Sequence, residues 1–250
     1  MQKQTTSWGS VAGWYNDYLE TTEDSYQRKV ILPNLLRVLD LKKDTRVLDI
    51  ACGQGFFTRE YAKSCAVVVG ADISKELIEQ AHALSPEIPF HVDPAHKLAF
   101  AKDKSFDAAT IVLAIQNIEN IDAVFAEAKR VLVPGGRLVL VMMHPAFRIP
   151  QRSAWGWDDE QRVQYRRVDS YLSAGKTELL VHPGKANSET TISYHRSLQD
   201  FFKSLSKNGF AVSKLEEWIS HKKSGVGPRQ KAEDMARKEI PLFLMLEVCI

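Results

Sequence analysis

The chain has 250 residues, of which 44% are hydrophobic, and a formal net charge of +2 at pH 7. This length is sufficient for one large domain, residues 1–250, whose core needs no disulfide or metal. The near balance of charge excludes a strong field that would attract nucleic acid or an acidic membrane.

The three cysteines, Cys52, Cys65 and Cys249, are scattered and form no C-x-x-C pair. They therefore predict reduced structural thiols in a cytoplasmic protein and no metal site. The N-terminus lacks the apolar core of a signal peptide, and no apolar stretch approaches 18 residues. We expect neither secretion nor a membrane-spanning segment.

The first predicted elements are helical. Aromatic residues that include Tyr15 and Tyr18 recur at helical spacing, and an amphipathic helix is predicted over residues 25–39. Residues 1–40 are therefore expected to form an N-terminal helical cap. From the spacing alone, its aromatic side chains are expected to pack on a sheet.

Residues 46–50 form the first predicted strand, an apolar run of the kind that is buried on both faces of a sheet. The strand leads into a turn with glycine at 53 and 55, and a helix is predicted over residues 54–64. Gly53 and Gly55 let the backbone approach a ligand and adopt positive φ, and the free amides of the first helical turn face the strand end. A carboxylate or phosphate would fit there.

A second apolar strand ends at Asp72, and Ser74 is a suitable N-cap for a helix over residues 74–84. This alternation predicts a parallel sheet that binds ligands at the carboxyl ends of its strands. A carboxylate at Asp72 can accept hydrogen bonds from both hydroxyls of a ribose. Thr58 replaces the third glycine of the dinucleotide fingerprint and Asp49 precedes the turn, which favours a ligand with an amino acid end over a pyrophosphate.

The rest of the sheet is predicted from further apolar strands that alternate with amphipathic helices. We expect strands over residues 88–92, 106–113, 137–143, 210–218 and 241–248, and helices over residues 121–132 and 198–207. Pro134-Gly135-Gly136 is predicted to end the first of these helices. The basic segment 221–239 is predicted as a solvated face, with a mobile lid or an anion-binding loop as the alternative.

Residues 144–196 are rich in aromatic side chains. Strand-like segments at 177–181 and 190–195 flank Pro183-Gly184 and predict a hairpin. Because this insertion follows a strand end on the ligand side of the sheet, we expect a cap that excludes water and shapes a pocket for an organic acceptor. The alternative is a contact between the subunits of a homodimer.

Three motifs together resemble one family. Val-Leu-Asp-Ile-Ala-Cys-Gly-Gln-Gly, Val-Gly-Ala-Asp-Ile-Ser and Val-Leu-Val-Pro-Gly-Gly-Arg-Leu-Val-Leu are similar, in order and spacing, to motifs of the class I S-adenosylmethionine-dependent methyltransferases. The resemblance covers residues 30–143 firmly. It implies a Rossmann-like α/β fold with a seven-stranded, mostly parallel sheet flanked by helices, the cofactor S-adenosyl-L-methionine, and methyl transfer to O, N or C of a small organic molecule.

The resemblance also implies cofactor contacts at the glycine turn and the strand ends, from Asp49, Ala51, Gly53, Gly55, Asp72, Ile73, Asp93 and Ala114. In the family the carboxylate at Asp93 and the next backbone N–H contact adenine. Pro94 departs from this pattern because proline has no N–H, so that contact is lost, shifted to Ala95 or replaced by water. Gln116 and Asn117 either orient the acceptor or only cap a loop. The resemblance further implies that the segment before the first strand folds over the cofactor, so the alternative to sheet packing is that Tyr15 and Tyr18 line the acceptor pocket.

Methyl transfer from a sulfonium needs an aligned nucleophile and a dry site, and a base only if the acceptor must first lose a proton. The candidate bases are His144, just beyond the fifth strand, and then His195, with Tyr15 or Tyr194 assisting. For each histidine, the alternative to acting as a base is a purely structural role.

Two other functions stay open. RNA or protein could be the substrate, although only the basic segment 221–239 favours it and the chain lacks an Asn-Pro-Pro-Tyr tetrapeptide. The chain could also be a non-catalytic cofactor-binding module or a nucleotide-dependent oxidoreductase, and the missing third glycine argues against the oxidoreductase. We expect a small-molecule acceptor as partner, and neither nucleic acid nor membrane.

Overall fold

The computed structural model describes residues 13, 19, 21–64, 67–180 and 189–250. The predictions that fall outside these residues include the roles of Tyr15 and Tyr18, the environment of Cys65 and the hairpin turn at Pro183-Gly184. Near the N-terminus, one π-helical turn, Gln27–Ile31, continues directly into helix α1, Leu32–Leu39. The helix predicted over residues 25–39 is therefore present, although the first part of it is wound as a π-helix.

The regular elements alternate between strands and helices through most of the chain. The strands are β1 (Arg46–Ile50), β2 (Val67–Asp72), β3 (Phe90–Val92), β4 (Phe106–Val112), β5 (Leu132–Met143), β6 (Ser153–Asp158), β7 (Val163–Val168), β8 (Gly175–Leu180), β9 (Thr190–His195), β10 (Ala211–Trp218) and β11 (Phe243–Cys249). The helices after α1 are α2 (Phe56–Ala62), α3 (Lys75–Leu84), α4 (Ile121–Val131), α5 (Leu198–Lys207) and α6 (Gln230–Glu239).

A sheet of seven strands in the order β10-β11-β5-β4-β1-β2-β3 organises the described part of the chain. The five strands from β5 to β3 run parallel, whereas β11 is antiparallel to both β5 and β10. The predicted fold class, a mostly parallel Rossmann-like sheet flanked by helices, is confirmed. The carboxyl ends of β1, β2 and β4 consequently meet at one edge.

The sheet is buried on both faces because successive residues of its central strands enter different apolar layers. Leu48 of β1 packs in the layer that contains Phe125 of α4 and Leu205 of α5. The preceding residue, Val47, packs in the opposite layer with Leu35 of α1. Full burial of such a side chain contributes roughly 1.5–3 kcal/mol, so these layers hold the strand ends rigidly in place.

The glycine pair before strand β5 does not serve as the predicted helix stop. Helix α4 already ends at Val131, and Leu132 has extended backbone angles and pairs with Phe106 of β4. Gly135, at φ +77°, and Gly136 instead lie inside β5, where the register against β4 shifts. The prediction was wrong because pairing with a distant strand ended the helix before the local glycine signal.

Two antiparallel hairpins lie between β5 and α5. The hairpin of β8 and β9 is the predicted one. The hairpin of β6 and β7 was not predicted, because β7 reads Val-Gln-Tyr-Arg-Arg-Val and its half-exposed polar residues carry no apolar alternation. Gly156 of β6 leaves room for the ring of Tyr165 on its partner strand. The assignment of residues 1–40 and 144–196 as caps stays a prediction.

The basic segment 221–239 contains α6, in which only Ala236 is buried and the other residues are exposed or partly exposed. Lys222 forms an ion pair with Asp24.

No helix of the described ranges has both the length and the apolarity that crossing a bilayer requires.

Candidate active site

A cavity of about 520 Å³ lies at the edge where β1, β2 and β4 end. Parallel sheets bind ligands at this edge, and the volume suits a small molecule. Its wall includes six of the eight residues predicted to contact a cofactor: Asp49, Ala51, Gly53, Asp72, Ile73 and Ala114. The topology therefore brings most of the predicted set together.

The other two predicted residues, Gly55 and Asp93, are not among the described wall residues. Gly55 caps α2 with φ +80°, and a Cβ at this position would lie 2.7 Å from Phe90 Cζ. Glycine is thus required there for packing and backbone conformation. Asp93 precedes Pro94 and Ala95, which do line the cavity, and its contact with adenine stays a prediction.

The Asp72 carboxylate joins the end of β2 to the glycine turn. Its Oδ2 accepts a hydrogen bond from the Gly53 N–H at 2.9 Å, and its Oδ1 accepts one from the Ser74 N–H at 2.8 Å. Asp72 is 8% exposed, and this burial raises its pKa. The two amides hold the carboxylate at the cavity wall and keep the turn close to β2.

The Asp49 carboxylate is almost fully buried and accepts two hydroxyl hydrogen bonds. Thr58 donates to Oδ2 at 2.6 Å and Thr110 donates to Oδ1 at 2.8 Å. Burial, with a smaller contribution from the nearby charge of Asp72, raises the pKa of Asp49 to about 6. Thr58 thus has a function at the position where the dinucleotide fingerprint has glycine.

The wall between Asp49 and Asp72 carries negative charge at neutral pH, because a pKa of about 6 leaves Asp49 mostly ionised. The hydrogen-bond partners of both carboxylates are hydroxyls and backbone amides, and neither carboxylate forms an ion pair with a Lys or Arg of the described ranges. Buried carboxylates are usually paired with a positive group. A ligand that carries positive charge would complete this site.

Two residues of the cavity wall adopt backbone angles that favour glycine. Ala51 has φ +57° and Leu113 has φ +54°. Each such residue costs about 1–2 kcal/mol, and strain of this kind concentrates at functional sites. The Leu113 N–H donates to the Val141 carbonyl at 2.7 Å, which holds the strained residue in place. No pattern in the sequence could have located Leu113.

Cys52 lies in the same wall, within the glycine turn. Burial and the carboxylates of Asp49 and Asp72 raise the pKa of its thiol well above the ordinary value. The thiol therefore stays protonated at neutral pH, and only the thiolate is a strong nucleophile. This environment supports the structural role predicted for Cys52.

His144 follows β5 but is not among the described wall residues of this cavity. Its Nε2 lies 2.7 Å from Glu217 Oε1, and its Nδ1 accepts a hydrogen bond from the Ala146 N–H at 3.2 Å. Burial lowers the pKa of His144 in spite of Glu217. Both ring nitrogens are engaged, which favours a positioning role, so its service as a base stays an untested prediction.

His195 and Tyr194 line a second cavity, of about 460 Å³, beyond the carboxyl end of β5. The His195 Nε2 lies 2.8 Å from the Tyr171 carbonyl oxygen and donates to it. Asn117 lines both cavities, and Gln116 lines the second. The second cavity is bounded by β5, β9 and the loop after β5, which is where an acceptor pocket was expected.

The described residues include no cluster of three or more potential metal ligands.

Comparisons with known families, sequences and structures all find similarity to methyltransferases. The family described as "Methyltransferase domain" matches residues 48–140. Curated relatives include demethylmenaquinone methyltransferases of Streptomyces avermitilis, 31% identical over 133 residues, and Corynebacterium efficiens, 41% identical over 102 residues. A solved S-adenosylmethionine-dependent methyltransferase from Mesorhizobium loti is 25% identical with a TM-score of 0.67, over 87% of this chain and 96% of that one.

The sequence matches are partial. The S. avermitilis match covers 53% of this chain and 55% of the relative, and the C. efficiens match covers 41% and 43%. The chain thus spans about half the length of the curated relatives it matches. The family match ends at residue 140, before most of the residues that line the second cavity.

Proposed function

We propose that this chain, which belongs to the class I S-adenosylmethionine-dependent methyltransferases, transfers a methyl group from S-adenosylmethionine to an O, N or C atom of a small organic acceptor. The observation that carries the proposal is the placement of two buried carboxylates, Asp49 and Asp72, in one cavity wall at the strand ends. The demethylmenaquinone methyltransferases match only about half of their length here, so their acceptor is not transferred to this chain.

The residues of the first cavity fit this donor. S-adenosylmethionine carries a sulfonium, an α-ammonium group and a ribose with two free hydroxyls, and the cavity offers two carboxylates with no cationic partner in the described chain. A Cβ built at Gly53 would meet nothing within 4 Å, which leaves open space above the turn. We assign Asp72 to the ribose hydroxyls and Asp49 to the amino acid end.

The bound donor supplies a methyl group that is already activated, because the electrons of the breaking C–S bond return to a positively charged sulfur. The new bond uses a lone pair of the acceptor, and any acceptor proton passes to water or a base. The protein's task is then alignment and exclusion of water. Asn117, at the boundary of the two cavities, is placed to orient the acceptor, while Phe56 and Phe57 make part of the first wall apolar.

Titration with S-adenosylhomocysteine tests the proposal directly. We expect a one-to-one complex with a dissociation constant in the micromolar range, since the cavity is formed without ligand and buries most of a molecule of this size. Incubation with S-adenosylmethionine and a panel of hydroxylated and amino-substituted small molecules should release S-adenosylhomocysteine for at least one acceptor, measured by mass spectrometry. Absence of binding at millimolar ligand would contradict the proposal.

A further inference from the structure

The second cavity is lined by three arginines, Arg148, Arg166 and Arg196, and by no Asp or Glu of the described chain. Arg148 follows β5, Arg166 lies on β7, and Arg196 follows β9. Three separate parts of the insertion therefore direct guanidinium groups to one cavity. Carboxylates act on Arg196, namely Glu119, Asp122 and Asp200. Arg148 and Arg166 have no such neighbour in the described chain, and buried guanidinium groups of this kind are costly unless an anion joins them.

Of the three guanidinium groups, that of Arg148 has the fewest interactions to offset its buried positive charge. Its Nε is buried and has no hydrogen-bond partner among the described residues. Its guanidinium carbon lies 5.2 Å from the centre of the Trp155 ring, and that of Arg166 lies at the same distance. Burial, and next the positive charge of Arg166, lower the pKa of Arg148 to about 10, so it stays charged at neutral pH.

Arg166 and Arg196 are fixed in place by backbone carbonyls. The Nε of Arg166 donates to the Phe147 carbonyl at 2.8 Å, and one Nη of Arg196 donates to the Ile118 carbonyl at 2.9 Å. The other Nη of Arg196 is buried and has no partner in the described chain. Rigidly held donors with unused N–H groups are suited to bind an oxyanion.

Gln116, which lines the second cavity, supplies a hydrogen-bond acceptor in addition to the arginine donors. Its Nε2 donates to the Leu113 carbonyl at 2.6 Å, which fixes the amide, while its Oε1 is buried without a partner among the described residues. Gln116 precedes Asn117, which lines both cavities. An acceptor O–H or N–H can donate to this oxygen close to the methyl donor.

We propose that the acceptor of this enzyme is an organic oxyanion, a carboxylate or a phosphate, with an O–H or N–H as its methylation site. Its anionic group binds the guanidinium groups of Arg148 and Arg166, and its O–H or N–H donates to Gln116. This inference rests on the proposed function, which places the donor in the first cavity. A neutral acceptor would leave the buried guanidinium groups of Arg148 and Arg166 without an anion.

Calorimetry on the full chain saturated with S-adenosylhomocysteine tests this inference. The probes are 4-hydroxybenzoate, its neutral analogue 4-hydroxybenzamide, and 4-hydroxyphenyl phosphate, at constant ionic strength. We expect one of the two anions to bind at least tenfold more tightly than the amide. The anion that binds more tightly shows whether the acceptor carries a carboxylate or a phosphate. Arg148→Met should weaken anion binding at least tenfold, as expected for a lost charge-assisted hydrogen bond, and leave amide binding unchanged.

The matched control is Arg167→Met on the same strand as Arg166. Arg167 is exposed and paired with Asp169, so its loss should not change the preference for anions. Arg148→Gln, which keeps a polar head group, serves as a second variant, and binding of S-adenosylhomocysteine verifies the fold of each. The inference is overturned if the unmodified protein binds the amide as tightly as both anions, or if the Arg148 variants retain the preference. Failure to bind S-adenosylhomocysteine would overturn the proposed function instead.

Discussion

Replacing Asp72 by alanine is expected to weaken S-adenosylmethionine binding at least 100-fold. The change removes a carboxylate whose charge-assisted hydrogen bonds to the ribose are worth about 1.5–3 kcal/mol each, and 100-fold corresponds to about 2.7 kcal/mol. It also leaves the amides of Gly53 and Ser74 without their acceptor. The glycine turn would then lose its hydrogen bond to the Asp72 side chain and keep the one from the Cys52 N–H to the Ala71 carbonyl. The substitution therefore removes the contact with the ribose and part of what positions the turn. Isothermal titration gives the affinity directly.

The matched control is Asp72→Asn. Its carbonyl oxygen can still accept from one of the two amides, but its NH₂ group faces the other as a second donor. We expect an intermediate loss of affinity and a smaller loss of thermal stability than for alanine. If Asp72→Ala folds and binds the donor as tightly as the unmodified protein, the assignment of Asp72 to the nucleoside is wrong.

Lowering the pH from 7 to 5 is expected to weaken donor binding about tenfold, through Asp49. Its pKa is about 6 in the folded protein, so at pH 5 about nine-tenths of the molecules carry the neutral acid. A neutral acid does not attract the α-ammonium of the donor. Binding below pH 6 should therefore release a proton, which calorimetry detects as a dependence of the heat on the ionisation enthalpy of the buffer.

The stability of the ligand-free protein should change in the opposite direction. Because folding raises the pKa of Asp49, its contribution to stability is fully present below its unfolded pKa of about 3.9 and is lost as the pH rises through about 6. Asp49→Asn should remove both effects and leave donor affinity flat between pH 5 and 7. Identical donor affinity of the unmodified protein at the two pH values would contradict the role of Asp49.

The parts of the site that the sequence predicted are those encoded locally. Strand β1, the turn at Gly53 and helix α2 follow one another within about twenty residues, and Asp72 marks the end of an apolar run. Parallel strands align their carboxyl ends, so placing Asp49 and Asp72 in one cavity needed no knowledge of distant contacts.

The parts that were missed depend on contacts between distant residues. Thr110, which donates to Asp49, is 61 residues away from it, and Glu217 is 73 residues away from His144. The positive φ of Leu113 is imposed by its surroundings rather than by its own side chain, which disfavours it. Of the two arginines beside Trp155, Arg148 lies in the loop after β5 and Arg166 lies on β7, a strand without apolar alternation, so a sequence pattern identified neither the β6–β7 hairpin nor its charge.

We expect the nucleoside and amino acid ends of one sulfonium donor to lie between Asp72 and Asp49. The most direct test is a crystal structure of the protein with S-adenosylhomocysteine. We expect both ribose hydroxyl oxygens within about 3 Å of the Asp72 carboxylate, and the α-amino group on the side of Asp49. Electron density for the ligand outside this cavity, or a ribose turned away from Asp72, would contradict it.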